Sequence, residues 1–545
     1  MPAARIDRAF HEAFESLSYR GALADPLIRR RFMLMARMRG CGYRSREQLA
    51  FSAYSASYVE EAERFCDTVA PGGDVIPGRM HVLYPTFGLA SFWQGGRRLR
   101  QFLVRDSRLA RALGESWTWL RGQVAHAPGV TGPLSQPTDM AGLGRGEERL
   151  QRAITAHLEQ VQRDDLHREF EALHVDDPRR EAWVSAGRTS SQWVMAHPTH
   201  SFDYSPDEFR ETVTTYLGIE SPGARAPGTL GGLIPVAQGV VQCDPYARLI
   251  GRVPLPVLSF DPVHQECQAA LTDLLTAAQV PHSDDTGYIF QALIPAPILL
   301  DRANPPGILS DIHADVAMPP AVSTRPAPGR PARYPHWQRD AIPARRLLFD
   351  VKAVHGGGTW YSSRWARDYQ RGAVEERALT VHQAYVRHAQ RLDSQLHRDA
   401  QGVPPPPGHG PIERRLASFT RVRGLVFGQY GEVSHDVDCL ICLCAAAAAR
   451  RTWRASGFRT EAEMRGVFTA LYRRQIGLRV TRAFARHRLS RLALVGVPRA
   501  QLDAWRVAQR QDRFRTRGAA MAVGLEDVWA FQSAYRGPAV LLGAA

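Results

Sequence analysis

Through most of the first 200 residues, apolar positions recur three or four apart, with arginines and acids between them. Residues 28–38 and 58–65 carry this pattern, and residues 146–172 continue it with acidic and basic side chains interleaved. Each stretch predicts a helix with one apolar face. Short Gly/Pro breaks at 70–73 and 127–133 separate them, and Trp93, Trp117 and Trp119 read as core anchors. Residues 221–232, rich in Gly and Pro, predict a linker. After it the period changes. Residues 233–241 are β-rich, 247–258 alternate short apolar runs with proline and glycine, and 264–280 predict a helix. Residues 288–294, 307–316 and 346–354 predict strands, the last (Arg-Leu-Leu-Phe-Asp-Val-Lys-Ala-Val) most clearly. The Pro- and Arg-rich segment 319–335 predicts an exposed loop, and 372–397 a long helix. The proline run 404–407 closes that part, and the chain from 412 onward reads as mostly helical. The expected architecture is an α+β multidomain chain: a helical region over 1–220, a linker at 221–233, an α/β core over 234–403 and a helical region over 411–545.

Composition narrows the classes. Of 545 residues, 44% are hydrophobic and 23% charged, which fits packed domains and excludes a wholly disordered or collagenous chain. The longest apolar run, 439–449, lies between Asp438 and Arg450 and falls well short of the ~20 residues needed to cross a bilayer, so it reads as a buried helix. The first residues are polar and charged, unlike a secretory signal, so an intracellular protein without a membrane partner is expected. Seven cysteines, an odd number, point to reduced thiols and not to a disulfide framework.

Charge changes the picture further. The 69 basic residues exceed the 54 acidic ones by 15, and residues 401–545 hold 23 Arg against 10 Asp and Glu, or 13 of that excess. A basic helical C-terminal region of this kind suits a phosphate-backbone partner. Arg479, Arg482 and Arg486 share one helical face, and Arg506, Arg510, Arg513 and Arg517 form a second stripe. A solvated face is the plain alternative for both. All but one of the 69 basic residues are arginine, and the lone lysine is Lys352. Lysine is a compact point charge whose pKa shifts readily, whereas arginine is bulky and permanently protonated. A lysine kept where a coding bias has otherwise replaced it by arginine suggests a site at which arginine would fail, with chance survival as the plain alternative.

Its context supports that reading. Strand alternation sends Asp350 and Lys352 to one face of an otherwise apolar strand. Upstream, Asp311, His313 and Asp315 alternate in the same way. If the two strands are neighbours, two or three carboxylates and one ammonium converge. Hard oxygen donors of this kind suit Mg²⁺ or Mn²⁺, which would polarise a phosphodiester and acidify a bound water. A buried Asp–Lys pair is the plain alternative, and it leaves the second acidic strand unexplained.

An acid, then Asp-x-Lys on a strand, is the PD-(D/E)xK nuclease pattern. Gly307-Ile-Leu-Ser-Asp311 followed by Leu348-Phe-Asp-Val-Lys352-Ala-Val resembles the restriction-endonuclease-like domain downstream of reverse transcriptase in non-LTR retrotransposons of protist and algal type. Asp244-Pro-Tyr, His264 opening a helix, the segment 288–295, residues 374–393 and Val426-Phe-Gly-Gln-Tyr-Gly-Glu432 extend the similarity over about 183–492. The resemblance implies a PD-(D/E)xK nuclease-like core at 234–403, after a post-reverse-transcriptase-like helical region. It implies Mg²⁺ (or Mn²⁺) ligation by Asp311 and Asp350, water positioning by Lys352, and an accessory acid from the preceding helix, for which Asp285 (or Asp284) stands. Ser310 replaces the usual proline, the helix acid is commonly Glu, and the 319–335 loop is long for this hairpin. No Asp-Asp polymerase signature is present. The implied activity is metal-dependent nicking of target DNA for a mobile element, in the nucleus. DNA is the partner, with a reverse transcriptase or element RNA acting in trans.

Other signals carry less. Cys439, Cys442 and Cys444 with His435 lack a second cysteine pair at zinc-ligand spacing, and Cys243, His264 and Cys267 leave a tetrahedral site one ligand short. His313 and Asp315 with His355 imitate a facial iron triad but leave Lys352 unexplained. His355-Gly-Gly-Gly reads as a loop where backbone approaches a phosphate, with Thr359, Tyr361 and Arg364 as further DNA-backbone contacts. The alternatives to an endonuclease are a catalytically inactive nucleic-acid-binding remnant and an architectural protein.

Overall fold

The computed structural model describes residues 2–46, 49, 147–174, 176–186, 192–195, 204–236, 239–248, 261–299, 306–315, 346–354, 372–419, 421–498 and 500. The chain divides into two compact units, Met1–Leu173 and His174–Ala545.

The first unit is helical where described: α1 (Pro2–Leu17), α2 (Pro26–Phe32) and α3 (Glu147–Glu171). Pro26 opens α2 where its missing N–H is not needed, and the Asp25 carboxylate accepts the Leu27 N–H at 2.8 Å. Phe14, Ile28, Phe32, Leu166 and Phe170 are buried, and so is Arg31. That arginine donates Nε–H to the Arg39 carbonyl, and its guanidinium lies 5.8 Å from the Phe170 ring centroid.

The second unit holds the sheet. It begins with α4 (Pro178–Ser185) and α5 (Pro206–Leu217), the latter started by a reciprocal capping box between Ser205 and Glu208. The expected linker at 221–232 opens as a packed turn, while residues 225–228 and Leu230 are exposed. Ser221 Oγ donates to Glu211, the Ser221 N–H donates to the Pro245 carbonyl, and Ala224 is fully buried. Beyond it, β1 (Leu233–Val236) and β2 (Gly239–Gln242) form an antiparallel hairpin.

Next come α6 (Asp261–Ala277), β3 (His282–Ser283), β4 (Ile312–Asp315), β5 (Arg346–Val354), α7 (Ala373–Leu396), α8 (Pro411–Ala417), β6 (Val422–Gly428), α9 (His435–Thr452) and α10 (Glu461–Leu492). The four strands lie in the order β3-β4-β5-β6, antiparallel except for the parallel β5–β6 pair, which α7 and α8 connect. Two sequence expectations need correction here. Residues 288–294 form no strand; a 3-10 turn at Gly287–Ile289 and local bonds from Leu293 and Ile294 to Phe290 bury Ile289, Phe290 and Ile294. The core does not close at 403 either, because β6 completes the sheet from beyond that point. Every residue of β6 is buried. A strand covered on both faces reads as a continuous apolar run, without the alternation that would reveal it.

The sheet has helices on both faces. Ile312, Ala314, Leu347, Phe349 and Val351 pack with α6, α9 and α10. Leu348 and Val422 face Val381, Tyr385 and Ala389 of α7 and Ile412 and Leu416 of α8. Alternation along β5 therefore turns Asp350 and Lys352 toward the α7 side. α7 sits close to the sheet because β6 offers Gly424 beneath it; a Cβ there would lie 2.7 Å from the Ala378 Cα.

The residues 439–449 are on α9, with Cys439, Leu440, Ile441, Cys444, Ala445 and Ala449 buried in this core. Burial pushes the Cys439 and Cys444 thiols far up, as expected of packed thiols. Among the described residues, no helix is long and apolar enough to cross a membrane.

Candidate functional site

The site forms where β4 begins and β5 approaches its end. Antiparallel register sets Ile312 against Phe349, and continuing it by one residue sets Asp311 against Asp350. The two acidic strands are thus direct neighbours. Asp311 donates its N–H to the Phe349 carbonyl at 3.0 Å, and its Oδ2 accepts the Val351 N–H at 2.6 Å. The carboxylate takes the place of a ladder carbonyl that the chain, turning into β4, no longer offers.

Two side chains of α6, one helical turn apart, hold Asp311 from the other side. His264 Nε2 lies 3.3 Å from Asp311 Oδ1, and Gln268 Nε2 donates to the Asp311 carbonyl at 3.1 Å. Burial pushes the Asp311 carboxyl up, but the His264 bond and charge, the Val351 N–H and Lys352 outweigh it, and the net shift is down. His264 moves the opposite way, raised by its bond to Asp311 against the effect of burial.

Asp350 is 3% exposed. Its Oδ1 accepts Lys352 Nζ–H at 2.8 Å and lies 2.8 Å from the Tyr385 hydroxyl. Its Oδ2 is buried and has no hydrogen-bond partner among the described residues. Burial and the Asp311 charge push this carboxyl up, against the opposing pull of Lys352 and Tyr385. Two carboxylates with opposite shifts, one ammonium and one unsatisfied buried oxygen therefore meet at one sheet end. A buried carboxylate oxygen without a donor is costly unless a cation or proton meets it.

The remaining sequence candidates fall as follows. Asp285 is not on a helix. It lies exposed in the turn after β3, where its carboxylate accepts the Gly287 N–H at 2.9 Å, so it is bound within its own loop. The helix preceding the acidic strands presents His264 at Asp311 instead. His313 is buried beside Tyr288, whose hydroxyl is 2.6 Å from Nδ1, and stands edge-on to Phe419. The backbone of Asp315 ends β4 opposite Arg346. His355, Thr359, Tyr361 and Arg364 lie outside the described residues, as do Arg506, Arg510, Arg513 and Arg517.

The Arg479, Arg482 and Arg486 stripe engages acids of neighbouring helices to different degrees. Arg479 Nε donates to Glu266 at 2.9 Å and its other arm to Asp273, both on α6, and its side chain is only 13% exposed. Arg482 lies 4.0 Å from the same Glu266 and is equally covered, while Arg486 pairs with Glu208 of α5. Arg479 and Arg482 thus tie α10 to α6 and are largely covered there, whereas the Arg486 side chain stays 55% exposed.

Sequence reasoning missed Tyr385, His264 as a partner of Asp311, and Gln268. The visible signal was slight: Ala378, Tyr385 and Ala389 share one apolar face of a long helix, and a tyrosine there has a hydroxyl to satisfy.

No family model, curated protein or solved structure matches the chain. Among the described residues, no group of three or more His, Cys, Asp and Glu side chains is arranged to hold a metal ion.

Proposed function

We propose that the chain is a metal-dependent DNA endonuclease of PD-(D/E)xK type that hydrolyses phosphodiester bonds, nicking target DNA for a mobile element. The observation that carries the reading is Asp350, buried beside the only lysine of the chain with one oxygen left without a donor. That oxygen and the Asp311 carboxylate on the adjacent strand would be the donors for a Mg²⁺ or Mn²⁺ ion, one Asp311 oxygen exchanging its His264 contact for the ion. Such an ion would supply charge stabilisation for a phosphate and a more acidic water.

The chain's own residues do the rest. Lys352 is a third exposed, so its ammonium can hold Asp350 with one proton and orient a water or phosphate oxygen with another. The Val351 N–H fixes the rotamer of Asp311, and α6 keeps it at the strand end through Gln268. On the sequence resemblance, a reverse transcriptase or element RNA would act in trans and the nucleus would be the place of action.

A second reading, a nucleic-acid-binding remnant without turnover, is favoured by the engagement of both Asp311 oxygens and by the lack of a three-donor group among the described residues. Incubation of supercoiled plasmid with the protein and Mg²⁺ or Mn²⁺ separates the two. The endonuclease converts it to the open-circular form and Asp350→Ala does not. Plasmid that is bound but never nicked supports the remnant.

A further inference from the structure

The basic charge of α9 and α10 is not used evenly along their length. On the shaft of α10, Arg473 binds Asp438 through two bonds of 2.8 Å, and Arg479 binds Glu266 and Asp273. The turn that joins the two helices is different. Residues 450–459 hold four arginines and no acid, and all four arginines are exposed. Arg450 lies 4.0 Å from Glu461, whereas Arg451, Arg454 and Arg459 have no acid within ion-pairing distance among the described residues. The nearby Glu463 is engaged at the start of α10, where its carboxylate accepts the Arg459 N–H at 3.2 Å.

The turn is built to hold these groups out. Gly457 has a φ of +72°, which reverses the chain so that the Phe458 N–H donates to the Trp453 carbonyl at 3.1 Å. Trp453 and Phe458 pack against the core shared by α6, α9 and α10. The Arg454 guanidinium lies 5.0 Å from the Trp453 ring centroid, so a fixed ring orients it and less freedom is lost when it binds an anion. Arg450 and Arg451, in the last turn of α9, also complement the carbonyl end of that helix. Arg454 and Arg459 lie beyond it, and the helix dipole gives no reason for them. Neighbouring like charges without an acid repel one another until an anion meets them.

We infer that the α9–α10 turn is a contact surface for the phosphate backbone of a nucleic acid, engaged by Arg451, Arg454 and Arg459. Separate exposed guanidinium groups suit a chain of repeated phosphates, each of which can take one. An anionic membrane would ask for apolar side chains to insert, and among the described residues no exposed large hydrophobic side chain lies within 450–459. Of the endonuclease reading the inference uses only the nucleic-acid partner, and it requires neither a metal nor turnover.

The test is binding of a fluorescently labelled DNA duplex to the full chain in EDTA, followed by anisotropy over a series of salt concentrations. The triple variant Arg451→Gln, Arg454→Gln, Arg459→Gln should bind more weakly. Its slope of log affinity against log salt should fall by about 2–3, because each phosphate contact contributes about 0.9. A control with the same loss of charge, Arg168→Gln, Arg210→Gln, Arg225→Gln, removes surface arginines that have acids of their own in Asp165, Asp207 and Glu220, and should keep the wild-type slope. Arg451→Lys, Arg454→Lys, Arg459→Lys preserves the charge and should keep most of the slope. Circular dichroism checks that each variant is folded. An unchanged slope in the glutamine variant, an equal loss in the control, or a full loss in the lysine variant overturns the inference. So does a wild type that binds no DNA at low salt, or a glutamine variant that loses only its binding to phosphatidylserine–phosphatidylcholine vesicles. With the slope difference present, failure of the protein to nick plasmid in Mg²⁺ counts against the endonuclease reading alone.

Discussion

Lys352 donates to Asp350 from two positions further along the same strand, Nζ to Oδ1 at 2.8 Å, with the carboxylate buried and the ammonium partly in water. A pair placed so asymmetrically is coupled without being sealed. Lys352→Met should destabilise the fold, Asp350→Asn should largely remove the need for the lysine, and the double variant should fall short of the sum. A urea-unfolding double-mutant cycle is expected to give a coupling of about 1–2 kcal/mol, below that of a fully buried pair because the ammonium is solvated. Additive variants would mean that the contact contributes nothing.

Gly424 pairs with Asp350 across the parallel β5–β6 ladder and lies beneath Ala378 of α7. Gly424→Ala would place a methyl group 2.7 Å from a backbone atom, which no side-chain rotation can relieve. The helix must move, and a loss of about 1–3 kcal/mol in thermal or urea unfolding is expected.

Arg479 is expected to contribute to stability and not to nucleic-acid affinity. Its two acids, Glu266 and Asp273, lie on a helix more than two hundred residues earlier in the chain. Arg479→Ala leaves Asp273 without its partner and Glu266 with only the longer Arg482 contact, and should lower stability by about 1–2 kcal/mol. The salt dependence of DNA binding, measured by fluorescence anisotropy, should be the same as in the wild type. A shallower salt slope in the variant would restore Arg479 to the DNA-binding face.

His487 on α10 gives a pH dependence of definite sign. Burial first, and then Arg491 and Arg488, push it down from 6.5 to about 3. Between those values the unfolded chain binds a proton that the folded chain does not. The stability associated with this histidine is complete above pH 6.5 and falls as the pH drops below it, by at most about 1.4 kcal/mol per pH unit. His264, raised above 6.5, acts in the other direction and at higher pH, where its contribution is lost as the pH rises through its folded value. Unfolding free energies at pH 7.0 and 5.0 should therefore differ less in a folded His487→Leu variant than in the wild type. Equal differences would show that His487 is protonated in the fold.

How much was legible in the sequence depended on how local the cause was. The nine residues of β5 were readable because a short apolar run interrupted by an alternating acid and base has few other solutions, and strand period alone put Asp350 and Lys352 on one side. That β4 is the neighbour of β5 was readable only as a condition, since pairing is a long-range event. β6 was missed because its burial on both faces removes alternation, and with it went the true extent of the core. The helical spacing of Arg479, Arg482 and Arg486 was plain, but their partners on α5 and α6 were not, so Arg479 and Arg482 are mostly covered while Arg486 remains exposed. Tyr385 and His264 reach the acids only after two different helices have docked on opposite faces of the sheet, which no single window of sequence contains.

The most direct measurement is the single-turnover nicking rate of supercoiled plasmid in Mg²⁺, for the wild type beside Lys352→Arg, Asp311→Asn and Asp350→Asn, with plasmid binding recorded for all four. Nicking by the wild type alone, with binding retained in all three variants, is the predicted result. It would show that the two acids and the single lysine act together on the phosphodiester. Nicking that persists in Asp350→Asn, or that is as fast in Lys352→Arg as in the wild type, would contradict the assignment of these residues to hydrolysis.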